Sequence, residues 1–257
     1  MVVRATDHDS CCLKNTYHLF GCVFYEDIVM KFEYIFKKIN TLINYFVLFI
    51  GIIFMQQLAV LPLTMTSHIN TGFPKIILTI IGFSIQIFIA LFLYNKLFKI
   101  GEYTKDAGIK SIMKLVKILV SVLLAMVIIQ ICSTYLQDMS VVTNTDNQKA
   151  ILKLYKYNSV GLIIETVIIA PILEELIFRG VFLSGWSTVF GISKISLGSG
   201  IFISSGIFAL LHTSDFSINL LPYFVVGVIL ASSYIKTKRI EIPILGHMFL
   251  NFLAFII

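Results

Sequence analysis

Two adjacent glutamates, Glu174 and Glu175, stand in the apolar stretch Ala170-Pro171-Ile172-Leu173-Glu174-Glu175-Leu176-Ile177-Phe178-Arg179-Gly180. On a helix Glu175 and Arg179 are i and i+4 and can pair on one face, while Glu174 points about 100° away and is left free. A free carboxylate in a poorly solvated site takes up a proton more readily, as a general base working on water near neutral pH must. Without chemistry, the same residues are a helix-end salt bridge. Two later apolar runs carry Phe208-Ala209-Leu210-Leu211-His212 and His247-Met248-Phe249-Leu250-Asn251. Phe208, one turn before His212, could wall the imidazole off from lipid. His247 and Asn251 share a helix face and imply one polar destination. Taken singly, a histidine at a helix end is a satisfied polar group, and a His/Asn face is interhelical packing glue worth about 1 kcal/mol. Their occurrence on three separate segments tips the balance toward a site.

Glu174, Glu175, His212, His247 and Asn251 together hold the parts for attack on an amide by activated water: a base, a polarising imidazole, and donors for a tetrahedral oxyanion. The set could also bind a divalent metal such as zinc, with Glu174, His212 and His247 as its ligands. The H-E-x-x-H pattern and the G-x-S-x-G elbow are absent, and Cys132 has no neighbouring motif.

The elements that must position these residues are transmembrane helices. Of 257 residues 58% are hydrophobic and only 13% charged, against about a quarter charged in soluble domains. Apolar runs recur at about 41–63, 74–94, 113–132, 159–178, 197–213, 218–235 and 242–257, each near the 20 or so residues a bilayer demands. The expectation is an all-α polytopic bundle of about seven spans. The net charge of +6 comes from lysines scattered between the runs, without the basic, aromatic-interleaved face that nucleic acid needs. Lys31, Lys37 and Lys38, then Lys96, Lys99, Lys105 and Lys110, then Arg179 and Lys194, then Lys236, Lys238 and Arg239 fall in alternate connections and place the N-terminus in the cytoplasm. Lys149, Lys153 and Lys156 weaken that contrast. The polar connection 138–158 divides a chemically silent first half, 30–150, from a catalytic second half, 151–257. Residues 1–29, which hold Cys11, Cys12 and Cys22, are expected to be a disordered or artefactual extension before a natural start at Met30, and form no disulfide framework. Gly198, Gly200, Ser204, Ser205 and Ala209 mark the fifth run as the packing centre.

Glu174-Glu175-x-x-x-Arg179, Phe208-x-x-x-His212 and His247-x-x-x-Asn251 stand in the order of the three motifs of the CPBP family, which this chain resembles from about Ser159 to its end. That family includes CAAX-processing endopeptidases and Abi-like bacteriocin-immunity proteins. The resemblance implies a membrane endopeptidase in a bacterial-type plasma membrane, in which Glu174 and His212 activate water, His247 and Asn251 stabilise the oxyanion, and Glu175, Arg179 and Phe208 support the site. It further implies a peptide or protein substrate, membrane-anchored or prenylated, met within membrane lipid. A non-catalytic immunity or scaffold protein that binds a partner is the alternative.

One geometric conflict follows from simple alternation of the runs. Glu174 and His247 fall toward the cytoplasmic side, whereas His212 ends its run on the outer side. Two arrangements reconcile them. Either 181–195, with Trp186 as an interfacial anchor, extends a longer broken fourth helix, or the fifth helix continues beyond Thr213.

Overall fold

The computed structural model describes residues 16–69, 72–100, 111–213 and 216–256, and every regular element among them is helical. Helix α1 runs Thr16–Met65, α2 Gly72–Ile100, α3 Ile112–Asp138 and the short α4 Asp146–Tyr155. Helix α5 is the unbroken helical run 159–190. Then come α6 Lys194–Thr213, α7 Leu220–Thr237 and α8 Glu241–Leu253. Among the described residues, five helical segments are long and apolar enough to cross a membrane: Val29–His68, Gly72–Asn95, Ile112–Asp138, Lys194–Thr213 and Leu220–Thr237. The seven expected runs reappear as these five, α5, and the shorter apolar α8. Side chains such as Phe88 (70% exposed), Ile128 (61%) and Phe202 (66%) line the outward faces, an arrangement that lipid tolerates and water does not. The protein is a multi-pass membrane protein.

Two compact units divide the chain at Asn44/Tyr45. Residues 16–29, expected as an extension, are the first turns of α1. Cys11, Cys12, Lys105 and Lys110 lie outside the described residues, as do the side chains of Cys22, Lys96 and Lys99. The divide expected at 150/151 falls inside the second unit, where α2 and α3 pack against the helices that follow. Phe49, Leu93, Met126, Ile177, Phe178, Phe208 and Leu230 form its common core.

Helix α5 carries the glutamates, and its irregularity follows from its sequence. Asn158 starts it: the side-chain oxygen accepts from Gly161 N–H at 3.1 Å, while Nδ2 donates to Thr79 Oγ1 of α2 at 3.0 Å. Pro171 has no N–H to give. Around it the chain widens to a π-helical register at Glu165–Ile169, where Ala170 N–H reaches back to Glu165 O. A second π-helical stretch, Leu176–Leu183, follows at once, so Glu174 and Glu175 close the one α-helical segment between two widened turns. The helix ends at Gly191, whose φ of +80° only glycine adopts without strain.

This ending removes the depth conflict. Because α5 continues past Phe178 to Phe190, the chain reverses at 191–193 and α6 runs back beside it. Glu174 lies 16 residues before Phe190, and His212 lies 18 residues after Lys194, so both stand roughly 24–27 Å from the turn. The longer fourth helix is therefore the arrangement found, and α6 ends at Thr213. Trp186 packs in this hairpin, with Nε1 donating to Ser196 O at 2.9 Å. Gly200, Ser204, Ser205 and Ala209 are buried as expected of a packing stripe, but Gly198 is exposed.

A Cβ on Gly200 would sit 2.6 Å from Trp186 Cδ1. Gly200→Val is expected to cost about 1–3 kcal/mol, read as a lower thermal midpoint in detergent, and Trp186→Leu in the same chain should recover much of the loss.

Candidate active site

Three helices bring the candidate residues together. Glu174, on α5, directs Oε2 toward His212 Nε2 of α6 at 3.7 Å and toward His247 Nε2 of α8 at 3.8 Å. That oxygen is buried and has no hydrogen-bond partner. Glu175, rotated round the same helix, pairs with Arg179 at 3.0 Å, as their spacing requires, and its Oε1 also accepts from His247 Nδ1 at 2.9 Å. Arg179 is fully buried. Its second amino group donates to Gly227 O at 3.1 Å, and its guanidinium lies 5.2 Å from the Phe208 ring centre. Gly227 permits this because a Cβ there would meet Ser205 Cβ at 2.9 Å, so α6 and α7 touch along backbone.

Phe208 does more than shield one imidazole. Its ring lies 4.3 Å from that of His212 and 5.6 Å, edge to face, from that of His247, so a single apolar wall orients both. Its carbonyl oxygen, 2.8 Å from His212 Nδ1, can only accept, so the proton of the neutral ring sits on Nδ1 and the lone pair on Nε2. The ion-paired carboxylate of Glu175 imposes the same tautomer on His247. Three proton-accepting atoms, Glu174 Oε2, His212 Nε2 and His247 Nε2, therefore face one another. A water molecule donating to two of them would keep an oxygen lone pair free for attack.

Two imidazoles and a carboxylate are also donors of the kind zinc takes, with Glu174 Oε2 3.7 and 3.8 Å from the two ring nitrogens. Among the described residues no group of three His, Cys, Asp or Glu side chains is placed to hold a metal ion.

Asn251 is tied to the backbone of α5. Its Nδ2 donates to Thr166 O at 2.7 Å. With Ala170 N–H taken by Glu165 O and no N–H on Pro171, Thr166 O lacks the donors its register would supply. Asn251 thus pins the π-helical turn that precedes the glutamates. Asn251→Ala is expected to cost about 1–3 kcal/mol through that unpaired carbonyl, measured by thermal unfolding.

Two further groups belong to this region. Glu165, 5% exposed, accepts from Gln86 Nε2 of α2 at 2.9 Å, so the first half of the chain does contribute polar chemistry. Tyr223 of α7 stacks on His212 with ring centres 5.0 Å apart. Glu165 carried a signal in the sequence, since it is ionisable within an apolar run. Gln86 and Tyr223 carried none, because neither type is unusual in a membrane helix.

Residues 156–253 match the family model described as "Type II CAAX prenyl endopeptidase Rce1-like". The match is to an Rce1-like domain. All five candidate residues lie within it. The chain is 34% identical over 109 residues to a Bacillus subtilis (strain 168) protein named "Putative membrane peptidase YdiL", covering 42% of this chain and 41% of that one. It is 40% identical over 86 residues to the "Membrane-embedded CAAX protease MroQ" of Staphylococcus aureus (strain USA300), covering 33% and 34%. It thus spans less than half the length of either relative. No solved structure matches the chain significantly. The matched region begins just before α5 and takes in α5 to α8, the helices that carry the converging side chains.

Proposed function

We propose that this chain is an intramembrane endopeptidase that hydrolyses a peptide bond with water activated by Glu174 and His212. The observation that carries this reading is the convergence of Glu174 Oε2 on the bare Nε2 atoms of His212 and His247, at 3.7 and 3.8 Å, inside the region that matches the Rce1-like model. Water bridging Glu174 and His212 gives a proton to Glu174 as its oxygen bonds to the scissile carbonyl carbon, and the carbonyl π electrons move onto oxygen. His247, when protonated on both nitrogens with Glu175 compensating its charge, donates to that oxyanion. Collapse breaks the C–N bond, and the proton held by Glu174 passes to the leaving amine. Asn251 acts through the backbone it holds, and its second amide hydrogen is available to the oxyanion. No step uses a metal.

The substrate proposed from the family description is a membrane-associated peptide of CAAX type, prenylated or otherwise anchored, and the setting is a bacterial plasma membrane with the N-terminus in the cytoplasm. Bacteriocin self-immunity, with cleavage as its means, is a compatible role. The test is cleavage of a farnesylated CAAX peptide by the full-length protein in proteoliposomes made up in heavy-oxygen water. Label in the new carboxylate of the amino-terminal product is expected, with activity retained after dialysis against a divalent-cation chelator. Absence of cleavage across a peptide library, together with protection against a peptide toxin that survives Glu174→Gln, would instead identify a binding protein.

A further inference from the structure

Lys149, Lys153 and Lys156, the lysines that blur the charge contrast between the two sides of the membrane, lie on α4 and its C-terminal cap. Spacings of four and three residues bring them within about 60° of one another around the helix, and all three are exposed. The only acidic residue of α4 is Asp146, at its first position. Ile151 and Leu154, on the opposite face, are half-buried, and α4 packs against α5 and α6. Between these faces stand Leu152 (57% exposed) and Tyr155 (43%). At a bilayer surface this apolar flank enters the acyl boundary while the lysines reach the headgroups.

The position of α4 agrees. It joins the end of α3, a membrane-crossing helix, to the start of α5, and exposed Tyr135 and Tyr157 flank it in the manner of an interfacial aromatic belt. The helix is also held in place. Thr145 and Gln148 form a reciprocal capping box at its start, and Tyr155 packs on Phe255 with ring centres 6.2 Å apart.

We propose that α4 is an interfacial binding surface for anionic phospholipid, with Lys149, Lys153 and Lys156 on the headgroup phosphates and Leu152 and Tyr155 among the upper acyl carbons. Bound lipid would lie close to the candidate active site, because the Thr145 hydroxyl meets the Tyr223 hydroxyl at 3.3 Å and Tyr223 stacks on His212. The surface itself does not depend on the hydrolytic reading.

Its test is lipid retention by the full-length protein in mild detergent, titrated with phosphatidylglycerol or phosphatidylcholine and read by native mass spectrometry. Wild type is expected to retain phosphatidylglycerol in preference. The Lys149→Gln/Lys153→Gln/Lys156→Gln variant should bind it about 10- to 100-fold more weakly. Arginine at the same three positions should preserve binding, and Lys114→Gln/Lys117→Gln on α3 should leave it unchanged. In a Trp186→Phe background, Leu152→Trp in vesicles should be quenched by brominated phosphatidylglycerol. Wild-type retention by the triple glutamine variant would overturn the proposal, as would an unquenched Leu152→Trp. Displacement of the lipid by a soluble acidic peptide would overturn it too, and would assign the face to peptide instead.

Discussion

Glu174→Gln is expected to lower kcat for peptide hydrolysis about 10²- to 10⁴-fold, the range a positioned general base supplies, with KM and the thermal midpoint close to wild type. The substitution keeps shape and volume but removes the basic oxygen that faces both imidazoles. Stability should hold, because that oxygen has no hydrogen-bond partner to lose. Single-turnover cleavage in proteoliposomes, with thermal unfolding of the same preparation, measures both quantities. Turnover within about tenfold of wild type would remove Glu174 as the base and turn attention to His212 alone. A loss of activity accompanied by a large drop in midpoint would mark Glu174 as structural.

Arg179→Met should act in the opposite way, as a failure of stability first. Glu175 and Arg179 are both fully buried, and one Glu175 oxygen already serves Arg179 and His247 together. Removing the guanidinium leaves a buried carboxylate whose only remaining partner is an imidazole, at an expected cost of about 3–5 kcal/mol. It also frees Gly227 O in the contact between α6 and α7. The double variant Arg179→Met/Glu175→Leu removes both charges and should regain most of the midpoint, since apolar residues replace buried ion pairs at little cost. It should not regain cleavage, because His247 Nδ1 then has no carboxylate to fix its tautomer. Thermal unfolding and activity of the two variants separate the roles. Equal activity in the double variant and wild type would show that His247 is oriented by its surroundings without Glu175.

Much of this site is legible in the chain itself. An ionised side chain inside an apolar run must have a partner or a cavity, so Glu174, Glu175, Arg179, His212 and His247 stand out wherever their helices go. The pairing of Glu175 with Arg179 is local, set by 3.6 residues per turn, and therefore readable. So is the all-helical membrane class, because lipid leaves backbone amides no other partners than helix or closed barrel.

What lies between helices had to come from the tertiary structure. That α5 runs unbroken to Phe190, and so brings Glu174 level with His212, depends on two π-helical stretches and on a hairpin sealed by Trp186 against Gly200. A hydropathy pattern senses apolar length and does not see a helix continue through a less apolar segment. The fate of Asn251 was equally hidden: a carbonyl orphaned by Pro171 eighty-odd residues away claims its amide. Glu165 with Gln86, and Tyr223 against His212, likewise depend on which helix faces meet. Residue type and spacing by themselves determined which groups are able to do chemistry here, since burial costs and helical periodicity are local. Only the packed bundle decided which lone pairs face one another, because tautomers, freed carbonyls and helix depth are settled by contacts between segments distant in sequence.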